Sequence, residues 1–371
     1  MNIPEGWQTK CLADVVEIQR GFDLPHHARR PGPYPVLTSG ETGGFHDEGP
    51  VEGPGVTIGR ATNLGKPKWS DVDFWPHNTT MFVKDFKGNN RRWVYHLFEN
   101  TDLAGFDSGS VQPMLNRNYI ARVPVAVPPI HEQGAIAEVL GALDEKIAAS
   151  AKLAGISDEL LAARFATLAQ HGSEEVALGS IARVNAETQK PVPGGLLRYI
   201  DISTVDVGSY SFPEISSWDD APSRARRKVS KGDTIWSTVR PNRRSHALNL
   251  SDDPLLVGST GLAVLSPVKV GFAYLYEITR LPQFTAYLEN VAEGSAYPAV
   301  RADRFADALV PLLPVEARNE FESLAAPMRE HIHSLTEENM RLDATRDALL
   351  PKLMSGKLRV KDAETMVDDV A

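Results

Sequence analysis

Val123-Pro124-Val125-Ala126-Val127-Pro128-Pro129 returns 185 residues later as Ala308-Leu309-Val310-Pro311-Leu312-Leu313-Pro314, and the organisation of the chain follows from that recurrence. The same offset carries Gly109-Ser110-x-x-Pro113 onto Gly294-Ser295-x-x-Pro298. Downstream it lays Ile136 over Phe321, Leu143 over Met328 and Ile147 over Ile332 without a gap. Near the amino terminus, Leu12-Ala13-Asp14-Val15-Val16-Glu17-Ile18 matches Leu178-Gly179-Ser180-Ile181-Ala182-Arg183-Val184 at an offset of 166, so the second copy holds a net excess of 19 residues, the difference between the offsets.

Each copy reads as a β-rich globular region followed by a helix. Residues 8–129 and 175–314 carry short β-branched and aromatic runs between Gly and Pro, as in Gly55-Val56-Thr57-Ile58-Gly59 and Asp233-Thr234-Ile235-Trp236-Ser237. From Ile130 the period changes. Ile136, Leu140, Leu143 and Ile147 are spaced 4, 3, 4, and Leu161 and Leu168 continue the seam. The second copy holds the alternation through Phe321, Ala325, Met328, Ile332, Leu335, Asn339, Leu342, Arg346, Leu349 and Leu353. Sustained heptads predict a coiled coil, with Asn339 fixing register. A forty-residue helix is about 60 Å long, a natural spacer.

The 371 residues, 42% hydrophobic and 23% charged, are enough for two domains with real cores. No run approaches a membrane span and Met1–Gln8 lacks a signal-peptide pattern, so a cytoplasmic location is expected. Cys11, the sole cysteine, reads as a small apolar filler, which leaves no internal disulfide and no Cys-based zinc site. His26-His27 and His331-x-His333 read as surface histidines. Gly53–Arg60 lacks the Gly-Lys-Ser/Thr ending of a phosphate loop, and neither His-Glu-x-x-His nor Gly-x-Ser-x-Gly occurs. Asp253-Pro254-Leu255-Leu256 is the nearest approach to the Asp/Asn-Pro-Pro-Tyr/Phe motif of amino-methyltransferases. Catalytic residues are therefore expected to be absent, as are metal ligands.

A net charge of -9 argues at first against nucleic acid, but the charge is segregated: Arg198–Arg244 holds nine basic residues against six acidic, and Asp362–Ala371 four acids and no base. Base edges are read by Arg, Asn and Gln, and phosphates by Lys, Arg, Ser and Thr. The first copy offers Arg60, Asn63, Lys66 and Lys68 in one loop, Asn90, Arg91 and Arg92 in another, and Ser110, Gln112 and Arg117. The second offers Arg224, Arg226, Arg227 and Lys228, then Ser237, Thr238, Arg240, Asn242, Arg243 and Arg244, with Ser295 and Tyr297 beside the recurring Gly-Ser turn. These are the candidate DNA-binding residues.

The opening Ile3-Pro4-Glu5-Gly6-Trp7 with Leu12-Ala13-Asp14-Val15 resembles that of the specificity subunits of type I restriction-modification systems. So do Pro128-Pro129-Ile130-His131-Glu132-Gln133 leading into the first helix, and the ending Leu349-Leu350-Pro351-Lys352-Leu353-Met354-Ser355-Gly356-Lys357-Leu358. The resemblance covers essentially the whole chain. It implies an α+β fold with two target recognition domains, residues 1–129 and 173–314, separated by antiparallel spacer helices over 130–172 and 315–358, with a pseudo-two-fold repeat and an acidic tail over 359–371. It implies a non-catalytic subunit that reads a bipartite, asymmetric target in double-stranded DNA. Its partners would be two methyltransferase subunits using S-adenosylmethionine and translocase-nuclease subunits using ATP and Mg, with no cofactor bound by this chain. The second copy departs from the pattern, with Ala317-Arg318 in place of Glu132-Gln133. A self-contained DNA-modifying enzyme and a duplicated protein-interaction scaffold are the competing readings.

Overall fold

The computed structural model describes residues 3–41, 43–106, 114–170, 173–294 and 297–368. The first copy runs through strands β1 (Gln8–Cys11), β2 (Glu17–Arg20), β3 (Tyr34–Leu37), β4 (Phe45–His46), β5 (Gly55–Gly59), β6 (Pro67–Ser70), β7 (Trp75–Pro76), β8 (Thr80–Asp85) and β9 (Pro124–Val127). Its helices are α1 (Leu12–Val15), α2 (Arg91–Glu99), α3 (Arg117–Ile120) and the long α4 (Ile130–Ala169). The second copy has β10 (Glu174–Ala177), β11 (Ala182–Val184), β12 (Leu196–Ile200), β13 (Ile215–Ser217), β14 (Ala225–Lys228), β15 (Thr234–Ser237), β16 (His246–Leu248), β17 (Leu256–Ser259), β18 (Leu262–Pro267) and β19 (Leu309–Leu312). Helices α5 (Phe272–Arg280), α6 (Pro282–Asn290), α7 (Ala302–Asp307), α8 (Val315–Met354) and α9 (Val360–Asp368) complete it. No helix among the described residues is long and apolar enough to cross a membrane.

The duplication extends to strand register. β1 pairs antiparallel with β9, Gln8 opposite Val127, and β10 with β19, Glu174 opposite Leu312, so both pairings obey the offsets of 166 and 185 read from the sequence. The main sheets share one order, β2-β8-β5-β6 and β11-β18-β15-β16. The smaller sheets differ: β4-β3-β7 becomes β13-β12-β17-β14, and the added strand β14 is the one that carries Arg226, Arg227 and Lys228.

The chain divides into two compact units, residues 1–149 with 338–371 and residues 150–337, and each takes half of each long helix. In the first unit, Ile136, Leu140 and Leu143 of α4 and Leu342, Leu349 and Leu353 of α8 share one core with Trp93 and Leu97 of α2. In the second, Leu161 and Phe165 of α4 meet Phe321 and Ala325 of α8 and Tyr274 of α5. Within each unit the helix segments run antiparallel: Asp144 meets Arg346 while Ile147 meets Asn339, and Asp158 meets Arg329 while Phe165 meets Phe321. Residues 136, 137, 139, 140 and 143 are all buried, a stripe wider than a two-per-heptad seam, because the globular domain packs on the same helix.

The junctions explain themselves locally. Pro129 and Pro314 end the strands and lend their carbonyls to the first helical turn, accepting from Gln133 and Arg318 N–H. The α2 amino terminus is capped by Asn90, whose side chain accepts from Trp93 N–H. α8 stops before Gly356, which sits at φ +69° where a Cβ would meet Pro4 at 2.2 Å. Two expectations change. The segment read as an acidic tail folds as α9 and buries Ala363 against the first core, because Val360, Ala363 and Val367 recur at helical spacing. Cys11 is exposed rather than a filler, since β1 is an edge strand of a two-stranded sheet whose residues are all exposed.

Candidate nucleic-acid interface

In the first unit, the ends of β2 and β5 and the start of α3 converge on a groove of about 580 Å³ lined by Arg20, Arg60 and Arg117, with Gln19 and Asn116 between them. Arg60 follows β5 directly. Its N–H donates to Thr79 O and its carbonyl accepts from Leu115 N–H, so the backbone that carries the guanidinium is fixed. Arg117 opens α3, which Asn116 caps by accepting from Asn118 N–H. Burial and then the neighbouring Arg20 push the Arg60 pKa down, which marks a site where cationic charge is crowded. Asp23, 3.7 Å from Arg20, is the one carboxylate of the lining. Clustered guanidinium groups flanked by amides bind phosphate and the acceptor-rich edge of guanine.

The other residues singled out in this half have mostly structural partners. Asn63 adopts φ +48° and donates to Ser39 O, and Lys68 donates to Gly40 O, so both tie the β5–β6 loop to the preceding one. Lys66 is exposed. Asn90 caps α2 and its N–H donates to Gln133 Oε1. Arg91 donates to Pro54 O over the Phe86 ring. Arg92 is committed to Asp144 at 2.9 Å, stacked on Trp69 and Tyr95, and does not face the groove. Ser110, Gln112 and Ser295 lie outside the described residues.

The second unit builds its equivalent place differently. Thr238 stands where Arg60 stands: its N–H donates to Gly261 O, and its carbonyl accepts from Val300 N–H, 185 residues after Leu115. Its hydroxyl and that of Ser237 are buried and spent on Gly261 O and Val239 O. The cations come two residues later. Arg240 and Arg244 both adopt left-handed φ, +51° and +56°, around a 3-10 turn over Pro241–Arg243, and leave Asn242 and Arg243 exposed. Non-glycine residues held there cost about 1–2 kcal/mol each, a strain that clusters at functional loops. Arg240 N–H donates to Pro298 O while its guanidinium lies 4.5 Å over the Tyr297 ring, itself 70% exposed. Arg244 donates to Arg280 O. Just before β14, Arg224 is 3.7 Å from Asp201; on the strand, Arg226 donates to Ala225 O, Lys228 pairs with Glu187 and Arg227 is half-buried.

Sequence reading missed Arg20 and Gln19. Nothing local marks them: they reach the groove because the sheet order sets the end of β2 beside β8 and β5. Among the described residues no cluster of three or more His, Cys, Asp or Glu could hold a metal ion.

Residues 4–156 match the family described as type I restriction modification DNA specificity domain. That match covers the first copy and most of its long helix, and over this stretch the chain is similar to the type I specificity domains. It is similar to the type I restriction enzyme HindI specificity subunit of Haemophilus influenzae, 26% identical over 40% of this chain and 34% of that protein. It is also similar to the MjaIX specificity subunit of Methanocaldococcus jannaschii, 23% identical over 73% and 69% of the two chains. The match thus spans about a third of the length of the first of these relatives. The fold is that of the type I restriction-modification S subunit from M. genitalium, with a TM-score of 0.69, 15% identity and coverage of 95% and 96%.

Proposed function

We propose that the chain is the non-catalytic reader of a type I complex, with each unit contacting one half of a bipartite, asymmetric target in double-stranded DNA. The supporting observation is that one fold, repeated in register, carries different polar and cationic groups at and around the equivalent loop: Arg60, with Arg20 and Arg117 across the groove, in the first unit, and Arg240, Asn242 and Arg243 beside Tyr297 in the second. In this reading α4 and α8 space the half-sites and dock two methyltransferase subunits. S-adenosylmethionine is used on those subunits, and ATP and Mg on translocase-nuclease subunits.

The test uses the full chain assembled with its methyltransferase partner and selects bound duplexes from a random pool. Arg60→Ala with Arg117→Ala should relax one half of the selected sequence, and Arg243→Ala the other, each by about 1–3 kcal/mol where a bidentate base contact is lost. Affinity should fall steeply with salt. Equal loss at both halves, or no sequence preference at any salt, sinks the reading.

A further inference from the structure

Each unit joins its globular domain to both long helices through a small cluster of half-buried to buried ionic groups. In the first unit, Arg346 of α8 donates to Glu99 of α2 and, at 2.5 Å, to Asp144 of α4, while His96 pairs with Glu99 at 2.8 Å. In the second, Asp158 of α4 accepts from Arg329 of α8 and, at 2.6 Å, from Arg280 of α5, while Arg280 pairs with Glu277 at 3.2 Å.

The repeat relates these positions and exchanges carboxylate for guanidinium at each ionic one, with Glu277 where His96 stands. Helices α2 and α5 align from their first residues, Arg91 and Phe272, which sets His96 against Glu277 and Glu99 against Arg280. The offset of 185 carries Asp144 onto Arg329. The partner from the opposite helix is a cation, Arg346, in the first unit and an anion, Asp158, in the second, placed one helical turn apart in the repeat. The second cluster is the more deeply set, with Glu277 1% and Arg329 5% exposed. Arg92 adds a further cation on Asp144.

We infer that the two clusters are pairing keys, which make each domain accept the α4 or α8 segment of opposite charge and refuse a second copy of its own helix. Were α4 to pair with α4 of another molecule, Asp144 and Glu99 would meet Asp158. Were α8 to pair with α8, Arg329 and Arg280 would meet Arg346. Like charges brought together at sites largely shielded from water suppress a wrong partner more strongly than an exposed pair. The apolar seams do not discriminate in this way, since leucine, isoleucine and phenylalanine recur on both helices. A chain built from two copies of one domain needs such a device, because the surfaces that fit within a molecule also fit between molecules.

The experiment compares full-length chains refolded from denaturant at equal concentration, with mass read by light scattering on a sizing column. Glu277→His, Arg280→Glu, Arg329→Asp and Asp158→Arg together give the second unit the residue types of the first, so every contact within the molecule stays complementary and the discrimination is gone. The dimer-to-monomer ratio should rise by about a hundredfold. Adding His96→Glu, Glu99→Arg, Asp144→Arg and Arg346→Asp, with Arg92→Ala to remove the cation that would face position 144, restores opposite polarity and should return the ratio to that of the unsubstituted chain. A ratio unchanged in the first variant overturns the inference, as does a rise of equal size in the second. If the first variant does not refold, the first-unit changes alone, Arg92→Ala included, pose the same question. Failure of both transplants to fold counts against the keys, which by their logic work in either unit.

Discussion

The two units repeat their main-sheet order and the register of their terminal strand pairs, and diverge in the smaller sheet and in the charged side chains that the shared frame carries. The β1–β9 and β10–β19 registers coincide under the sequence offsets, yet the position after the third main-sheet strand is Arg60 in one unit and Thr238 in the other. Backbone pairing is indifferent to side-chain identity, so duplication preserves it. Loop cations and domain-to-helix ion pairs carry no such constraint and have separated. The comparison is therefore best attacked through the groups that differ.

The largest effect should come from the deeper ion cluster. Arg329→Ala leaves Glu277, 1% exposed, and Asp158 with only Arg280 between them, and should destabilise the second unit by about 3–5 kcal/mol. Arg346→Ala in the first unit should cost less, about 1.5–3 kcal/mol, because Arg92 remains on Asp144 and the site is 14% exposed. Urea unfolding followed by tryptophan fluorescence ranks the two, and a reversed order breaks the claim that the second unit relies more on its cluster.

Acid should sharpen the same contrast. His246, stacked on Trp236 at 4.7 Å, donates from Nδ1 to Arg244 O, and burial pushes its pKa down to about 4. A base whose folded pKa is depressed stabilises the fold fully above its unfolded value near 6.5 and loses that contribution as pH falls toward 4. The second unit should lose about 3 kcal/mol over that interval. His246→Phe should flatten the profile there. Asp158, which burial alone would raise, is held below the usual carboxylate range by Arg329 and Arg280, and so loses its contribution only at lower pH. A wild-type profile flat between pH 6.5 and 4 contradicts this assignment.

What the sequence disclosed divides along the same line. Helical period and the Val-Pro-Val-Ala-Val-Pro-Pro recurrence mark the long helices, since apolar spacing and proline act locally. Asn339, read as a register residue, donates to Ile147 O. The ion clusters stayed hidden because a search for repeats rewards identity and these positions invert; Arg346 showed only as a gap in an apolar seam. Arg20 and Gln19 were invisible because sheet order, not spacing, brings them to Arg60. Arg92 and Asn90, in contrast, sit in a basic run whose members turn inward to Asp144 and to the α2 cap.

The smallest effect tests how the loops hold their arginines. Arg60 and Arg240 are both fixed by backbone bonds on each side, but Arg240, in left-handed backbone, also has the Tyr297 ring beneath its guanidinium. An exposed cation–π contact contributes about 0.5–1 kcal/mol. Tyr297→Ser should therefore weaken binding to the half-site read by the second unit by about two- to fivefold, and Tyr297→Phe, which keeps the ring face, should not. The half-site read by the first unit should respond to neither, as filter binding against duplexes randomised in one half at a time will show. If Tyr297→Phe costs as much as Tyr297→Ser, the hydroxyl rather than the ring is what matters. The second unit would then present a tyrosine to DNA directly, and Arg240 would owe its position to its backbone bonds with Pro298 and Arg243.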